Sequence, residues 1–419
     1  MNLKKALSTA LSPLAVCAML GFTGTDAAAG LATSPWPMFQ HDAQHSGRTD
    51  VSGPQGPVPN IAWFKKTRSR LRASVAVGPT GTVFVPNGKN PLSAFDGTTG
   101  VELWQSSNHN GGHADRSGPA VNDVGVVYQG ARDNDLWACD TTTGNVNWRY
   151  HIPHDGDVTT PPTIGSDGTI YMGSEALGSG WVYAMTPAGA PKWPVGGNVV
   201  DDGHVVLRGS FKNASPCLSH DELTLYLSVK DEAIALDSAT GAELWRVEIA
   251  GKGFGSRHPN YAATMSNDDT QVYYQSKSGL WALDPATGDA LWLFVPENKQ
   301  ELKSAVAIGA DGTIYIGASK KKSSHFYALD PVDGSIKWKH VHSTKGRYSN
   351  NQAAVGADGK IYVGFGKAVF AFEEGGDGLG GSDLAWSMPL PGRIDAGVII
   401  GGPGVLYVGA GKNLWKLTD

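Results

Sequence analysis

Few residues of this 419-residue chain have the type and spacing that covalent or metal chemistry needs. Its three cysteines, Cys17, Cys139 and Cys217, are far apart, and no Cys-x-x-Cys-His is present to attach a c-type haem. His109, His113, His151 and His154 are close in sequence but divide between two polar segments. His41 and His45 stand at i, i+4 and would share a helical face, yet nothing nearby completes a tetrahedral zinc site. Calcium needs several converging oxygens, and Asp133-Asn134-Asp135 and Asp201-Asp202 read more simply as exposed turns. Neither a Gly-x-Ser-x-Gly elbow nor a His-Glu-x-x-His pair occurs. The expectation is therefore no metal site and no catalytic residue.

The elements that would position a site are easier to read. With 55 Gly, 24 Pro and 17% charged residues, the composition excludes a coiled coil, which would be rich in Glu, Lys and Ala. With 41% hydrophobic residues and 13 Trp it also excludes a disordered chain. A net charge of −5 gives no global attraction for nucleic acid or an anionic membrane. The longest unbroken basic run, Lys320-Lys321-Lys322, reads as a solvated loop. Lys4 and Lys5, the apolar stretch Ala6 to Phe22 and Ala27-Ala28-Ala29 have the form of an export signal, so residues 1–29 are expected to be cleaved. That apolar stretch is too short for a membrane span. Val16 before Cys17 speaks against a lipid anchor, since a small residue is expected there. The expected location is the periplasm or the medium, with Cys139 and Cys217 as buried, unbridged thiols.

One repeat accounts for the remainder. A short apolar strand, a turn such as Gly-Ala-Asp-Gly, a strand such as Thr-Ile-Tyr-Ile-Gly, then Ala-Leu-Asp, Thr-Gly and Trp recur in phase. The closing tryptophans are Trp63, Trp104, Trp148, Trp193, Trp245, Trp292, Trp338 and Trp386, about 46 residues apart, the period of a four-stranded propeller blade. Asp-Gly and Thr-Gly suit tight turns, and Val, Ile, Tyr and Trp suit pleated, packed strands. These eight tryptophans are expected to be structural, lying between blades. The last repeat has three strands and no fourth, while Asn60 to Phe64 has a fourth strand's pattern without the first three. Pairing the two would close an all-β, eight-bladed propeller over residues 60–419 and remove open sheet edges. Residues 30–59 would form a leader packed on it.

The phrase Ala-x-Asp-x-x-Thr-Gly-x-x-x-Trp, with the leader Trp36-Pro37-Met38-Phe39-Gln40-His41-Asp42 and Ser46-Gly47, resembles the pyrroloquinoline-quinone-like (PQQ-like) β-propeller family. The resemblance covers roughly residues 60–419 and implies the fold strongly. It implies function weakly, because the family includes quinone-dependent alcohol dehydrogenases, BamB-type scaffolds of outer-membrane protein assembly and other exported propellers. The dehydrogenases hold PQQ against an adjacent-cysteine disulfide and use calcium; this chain has no Cys-Cys pair, which disfavours PQQ without closing that alternative, so no cofactor is expected.

Blade alignment supplies a candidate binding site. The inner strands align on Val77, Val121, Ile164, Leu218, Met265, Ile308, Val355 and Ile400. Five residues earlier, at the channel mouth, stand Arg72, Arg116, Thr159, Asn213, Asn260, Lys303, Asn350 and Asp395, all polar. Two further out come Arg70, Ala114, Asp157, Phe211, His258, Glu301, Tyr348 and Arg393. Three formal positive charges and one negative in the inner ring would favour a carboxylate, a phosphate or an acidic sugar. Hydrated strand starts explain the same residues without a ligand. Three function classes follow. The first is a non-catalytic scaffold, monomeric, binding an envelope protein or a small anion. The second is a quinone-dependent oxidoreductase. The third is a lyase or hydrolase on acidic polysaccharide, using Arg257, His258, Tyr261 and Arg347.

Overall fold

In the computed structural model the described residues are 29–419, apart from 87, 89–91, 107–115, 155, 177, 197–198, 201–202, 208, 210, 212–213, 230–231, 250–261, 277–278, 321–322, 343–351 and 379. The export-signal segment falls almost wholly outside them. Eight antiparallel sheets form a ring, each with four strands in sequential order except at the closure. Their inner strands, in chain order, are Ala76–Val77, Ala120–Val121, Thr163–Ile164, Cys217–Leu218, Thr264–Met265, Ala307–Ile308, Ala354–Val355 and Ile394–Gly402. Blade six gains a short extra strand, Glu301–Leu302. The only helix among the described residues is one 3-10 turn, Glu297–Lys299.

Closure uses both ends of the propeller. Asn60–Lys66 pairs antiparallel with Asn413–Thr418, from Asn60 opposite Thr418 to Lys66 opposite Asn413. Phe64 stacks on Trp415 with ring centroids 4.7 Å apart.

The repeated turn has a local cause. One Asp96 carboxylate oxygen accepts the N–H groups of Thr98 (3.0 Å) and Thr99 (2.7 Å) and the Thr99 hydroxyl (2.8 Å). These bonds, chiefly those from Thr99, hold its carboxyl below the usual value. The turn then presents a glycine to the tryptophan of the preceding blade. Gly144 has φ +73°, and a Cβ there would lie 2.4 Å from the Trp104 ring, so only glycine fits. Indole N–H groups of Trp63, Trp104, Trp148, Trp193, Trp245, Trp292 and Trp338 each donate to a carbonyl in the next blade, at 2.8–3.1 Å. Trp386 breaks the series: its indole nitrogen is buried without a partner among the described residues. Blade eight draws its third and fourth strands from opposite ends of the propeller, so it carries no such turn.

That difference is testable. Trp338 is 2% exposed and Trp386 5%. Trp338→Ala should cost about 3–5 kcal/mol, the range for large buried aromatics. Trp338→Phe should cost about 1–3 kcal/mol by orphaning the Glu374 carbonyl, whereas Trp386→Phe removes a donor that has no acceptor and should be near neutral. Urea unfolding of the three variants checks this; equal losses for the two Phe variants would show that the indole N–H bonds add nothing. Trp292 stays half-buried, so its removal should cost less than that of Trp338.

The leader lies across the inner strands. Backbone carbonyls of Trp36, Pro37, Ala43, Gln44, Ser46 and Gly47 accept the N–H groups of Val77, Val121, Leu218, Met265, Ile308 and Val355, at 2.7–3.0 Å. Six of the eight blades are therefore bonded to one short segment. The inner strands turn an unpaired backbone edge toward the axis, and on these six blades the leader accepts from it. Trp36, Met38, Gln40 and His45 are fully buried. His41 (φ +77°) and His45 (φ +59°) are left-handed, so they share no helical face. His41 Nδ1 meets Asp42, and His45 Nδ1 donates to Ala263 O at 2.9 Å.

Candidate functional site

The connectors that feed the inner strands and the hairpins between second and third strands share one face of the ring, the channel mouth. On the side of blades seven, eight and one, these segments are stitched together by backbone bonds. Thr67 and Leu71 N–H groups donate to Lys412 O (2.7 Å) and Gly411 O (3.0 Å), and Gly411 N–H donates to Arg393 O (2.8 Å). Leu390 and Ile394 N–H groups donate to Lys367 O (2.7 Å) and Gly366 O (2.9 Å).

Asp395 is the centre of this region. It is 8% exposed, and Arg70 grips one carboxylate oxygen while Arg393 Nε lies 3.0 Å from the other. The mouth residue of blade eight is thus held by two guanidinium groups. Arg72, on the same connector as Arg70, is exposed. Arg116 on blade two is half-buried, with its Nε enclosed and without a hydrogen-bond partner among the described residues. Lys303, opposite on blade six, is balanced by Glu301 at 2.6 Å. Thr159 is buried. Among the described residues the positive charge therefore gathers around blades seven to two, with little contribution from blade six. Asn213, Asn260, Asn350, Arg257 and His258 lie outside the described residues, as do Tyr261, Arg347, His109 and His113.

Reading by aligned strand starts missed part of this site. Lys66 and Arg68 on the first connector, Lys412 on the blade-eight hairpin and Lys367 on the blade-seven hairpin are exposed on the same face. A signal was present: Lys65 to Arg72 holds five basic residues in eight positions, with no acid. It escapes a search for unbroken runs because Thr67, Ser69 and Leu71 interrupt it.

The acidic cluster at 133–135 also differs from an exposed turn. Asp135 is 2% exposed and bonds His151 Nδ1 at 2.8 Å, with Arg149 at 3.5 Å. Burial, with Asp135 beside it, raises the Asp133 carboxyl. A cleft of about 270 Å³ between blades five and six opens on the face away from the mouth. Its Asp268 and Asp311 already bond neighbouring Ser266, Thr270, Thr313 and Lys337.

The quinone clamp of the dehydrogenases does not fit the described residues. Cys139 sits in blade two and Cys217 in blade four, both buried and unpaired. Burial pushes the Cys139 thiol up to about 12 and the Cys217 thiol well above its ordinary value. Among the described residues no three metal-ligating side chains converge, and no helix is long and apolar enough to cross a membrane.

A family profile described as outer membrane protein assembly factor BamB matches residues 49–195 and 178–377. No curated protein matches the chain. Among solved structures, quinohemoprotein alcohol dehydrogenase from Comamonas testosteroni is similar at 14% identity and TM-score 0.71, over 94% of this chain and 81% of that one. BamB from Moraxella catarrhalis is similar at 19% identity and TM-score 0.60, over 86% and 100%. A europium-containing methanol dehydrogenase is similar at 11% identity and TM-score 0.68, over 92% and 98%. At these identities the structural likenesses establish the fold alone; the profile, spanning most of the chain, shows that this protein belongs to the PQQ-like β-propeller family described as outer membrane protein assembly factor BamB.

Proposed function

We propose that this protein is an exported, non-catalytic binding propeller that holds an envelope protein or a small anionic ligand at its channel mouth. The observation that carries the reading is the basic mouth: Arg70, Arg72, Arg116 and Arg393 on three consecutive blades, with Asp395 the one acid at the described mouth positions of those blades. Asp395 already offsets part of the charge of Arg70 and Arg393; gathering further guanidinium groups beside them costs Coulomb energy that an added anion would lower, and their planar forks suit carboxylate or phosphate. The family supports a scaffold role, since the profile it matches is named for an assembly factor. The described residues supply no clamp for a quinone, so no oxidoreductase step is derived from the similar dehydrogenases.

The test is a pull-down from the envelope fraction with the wild type and with Arg72→Ser/Arg116→Ser, beside calorimetry with small dicarboxylates. Neither residue belongs to the apolar contacts between blades, so the double variant should keep its melting temperature. Capture and anion binding should both disappear in the variant and weaken as salt rises in the wild type. Binding that survives the double substitution at low salt would place the site elsewhere and overturn the reading.

A further inference from the structure

Resting on that binding role, we propose that the channel-mouth face takes an extended acidic polypeptide segment, laid along a basic crescent that runs from blade seven through blades eight and one to blade two.

The crescent is wider than the mouth ring. Lys66, Arg68 and Arg72 stand exposed on the connector that leads from the closing strand into blade one. Lys412 and Lys367 stand exposed on the hairpins that this connector and its neighbour bond. Behind them Asp395 holds Arg70 and Arg393 in place, so two guanidinium groups are fixed by one carboxylate and positive charge remains in excess. Among the described residues of the segments from blades seven, eight and one Asp395 is the only acid. On blade two the hairpin on this face adds Arg132 with Asp133 and Asp135, of which Asp135 is already paired with His151 and Arg149, and Asp115, next to Arg116 in sequence, lies outside the described residues. Even counting Asp115, the crescent is strongly positive within a chain of net charge −5. That contrast sets the sign of the partner.

Extent and composition select its class. A small anion needs one guanidinium fork, whereas these charges spread over four of the eight blades and match carboxylates strung along a chain. Arg predominates, and its planar donors suit carboxylates. A bilayer surface fits less well, because stable membrane binding wants apolar insertion beside the charge, and none of the exposed large hydrophobics lies on these segments. An acidic polysaccharide fits less well too: residues 66–73, 366–367, 390–395 and 411–412 present no aromatic face on which sugar rings could pack.

The experiment measures fluorescence anisotropy of a labelled poly-glutamate peptide of about twelve residues, long enough when extended to span several blades. The full-length protein would also meet polygalacturonate and phosphatidylglycerol vesicles. The peptide should bind most tightly, and the affinity should fall at least tenfold on moving from low to physiological salt. Arg68→Ser/Lys367→Ser/Lys412→Ser should weaken it at least tenfold, with an unchanged circular dichroism melt because all three side chains are exposed. Arg68→Ser alone gives a smaller loss, and reads the same question should the triple variant fold poorly. Lys320→Ser, an exposed cation of blade six, should change nothing. Tighter binding of polygalacturonate or vesicles would overturn the polypeptide assignment while leaving a binding mouth in place. A triple variant that binds as the wild type does, or a Lys320→Ser effect of equal size, would overturn the crescent. Should the wild type capture an envelope protein yet ignore the peptide, this inference fails and the binding role survives.

Discussion

Deleting residues 411–419 should abolish the folded state rather than trim a terminus. Asn413–Thr418 is an interior strand of blade eight, bonded to Val405–Ala410 on one side and to Asn60–Lys66 on the other. Its loss leaves two sheet edges where there were none. It also removes the side chains of Leu414, Trp415 and Leu417, at most 4% exposed, from the core shared with blades one and seven. At about 2–5 kcal/mol for each Leu and about 3–5 for the Trp, the loss is on the order of 10 kcal/mol, comparable with the whole stability of a folded domain. Size-exclusion chromatography and a circular dichroism melt read the outcome. The expected result is aggregate or a chain without a cooperative transition. A monomer that melts at the wild-type temperature would refute closure by these strands.

The second large effect is acid destabilisation through the leader. His45 is fully buried, its Nδ1–H given to Ala263 O and its Nε2 3.5 Å from the Thr163 hydroxyl, so the imidazole is neutral. Burial pushes its pKa down to about 4, with the Ala263 bond and the Asp42 charge opposing. Between that value and about 6.5 the unfolded chain binds the proton and the folded one does not. Stability therefore falls as pH falls through this window, by about 3 kcal/mol in total, and is fully restored above it. His340 and His342, packed against Phe365 and Phe370, also have pKa values lowered by burial and act in the same direction, as does His325. His45→Asn keeps a donor for Ala263 and tolerates the left-handed backbone. Urea unfolding at pH 7, 5 and 4 should show the wild type losing more stability than this variant. Parallel pH profiles for the two would show that His45 stays solvated.

How much of this was legible beforehand depended on whether the cause was local. The blade phase could be read because each Asp-x-x-Thr-Gly turn builds its own hydrogen bonds within a few residues, as at Asp96 and Thr99. Closure could be read because strand patterns at the two ends were each incomplete. The mouth could be read only by strand alignment, which placed Arg72, Arg116 and Asp395 in one ring and Arg70 and Arg393 in the next but not the ion pairs that join Asp395 to the last two. Arg70 and Asp395 are 325 residues apart, and no periodicity pairs them. Lys412 and Lys367 belong to hairpins outside the aligned strands. Trp386 looked like its seven counterparts because the missing partner is a property of blade eight, not of its own repeat.

The pairing of Asn60–Lys66 with Asn413–Thr418 has a consequence in time. A chain is made from its N-terminus, so the strand that appears first waits for nearly the whole sequence before its partner exists. The far end of the leader waits almost as long, since Trp36 and Pro37 meet Val77 and Val121 in the first two blades but Gly47 meets Val355 in the seventh. In a solenoid each repeat settles on its predecessor as it emerges; here the closing strand Asn60–Lys66 cannot be satisfied by anything near it. Every product that stops short of Asn413 is therefore an open arc with Asn60–Lys66 unpaired, and the ring closes in one event, the arrival of Asn413–Thr418.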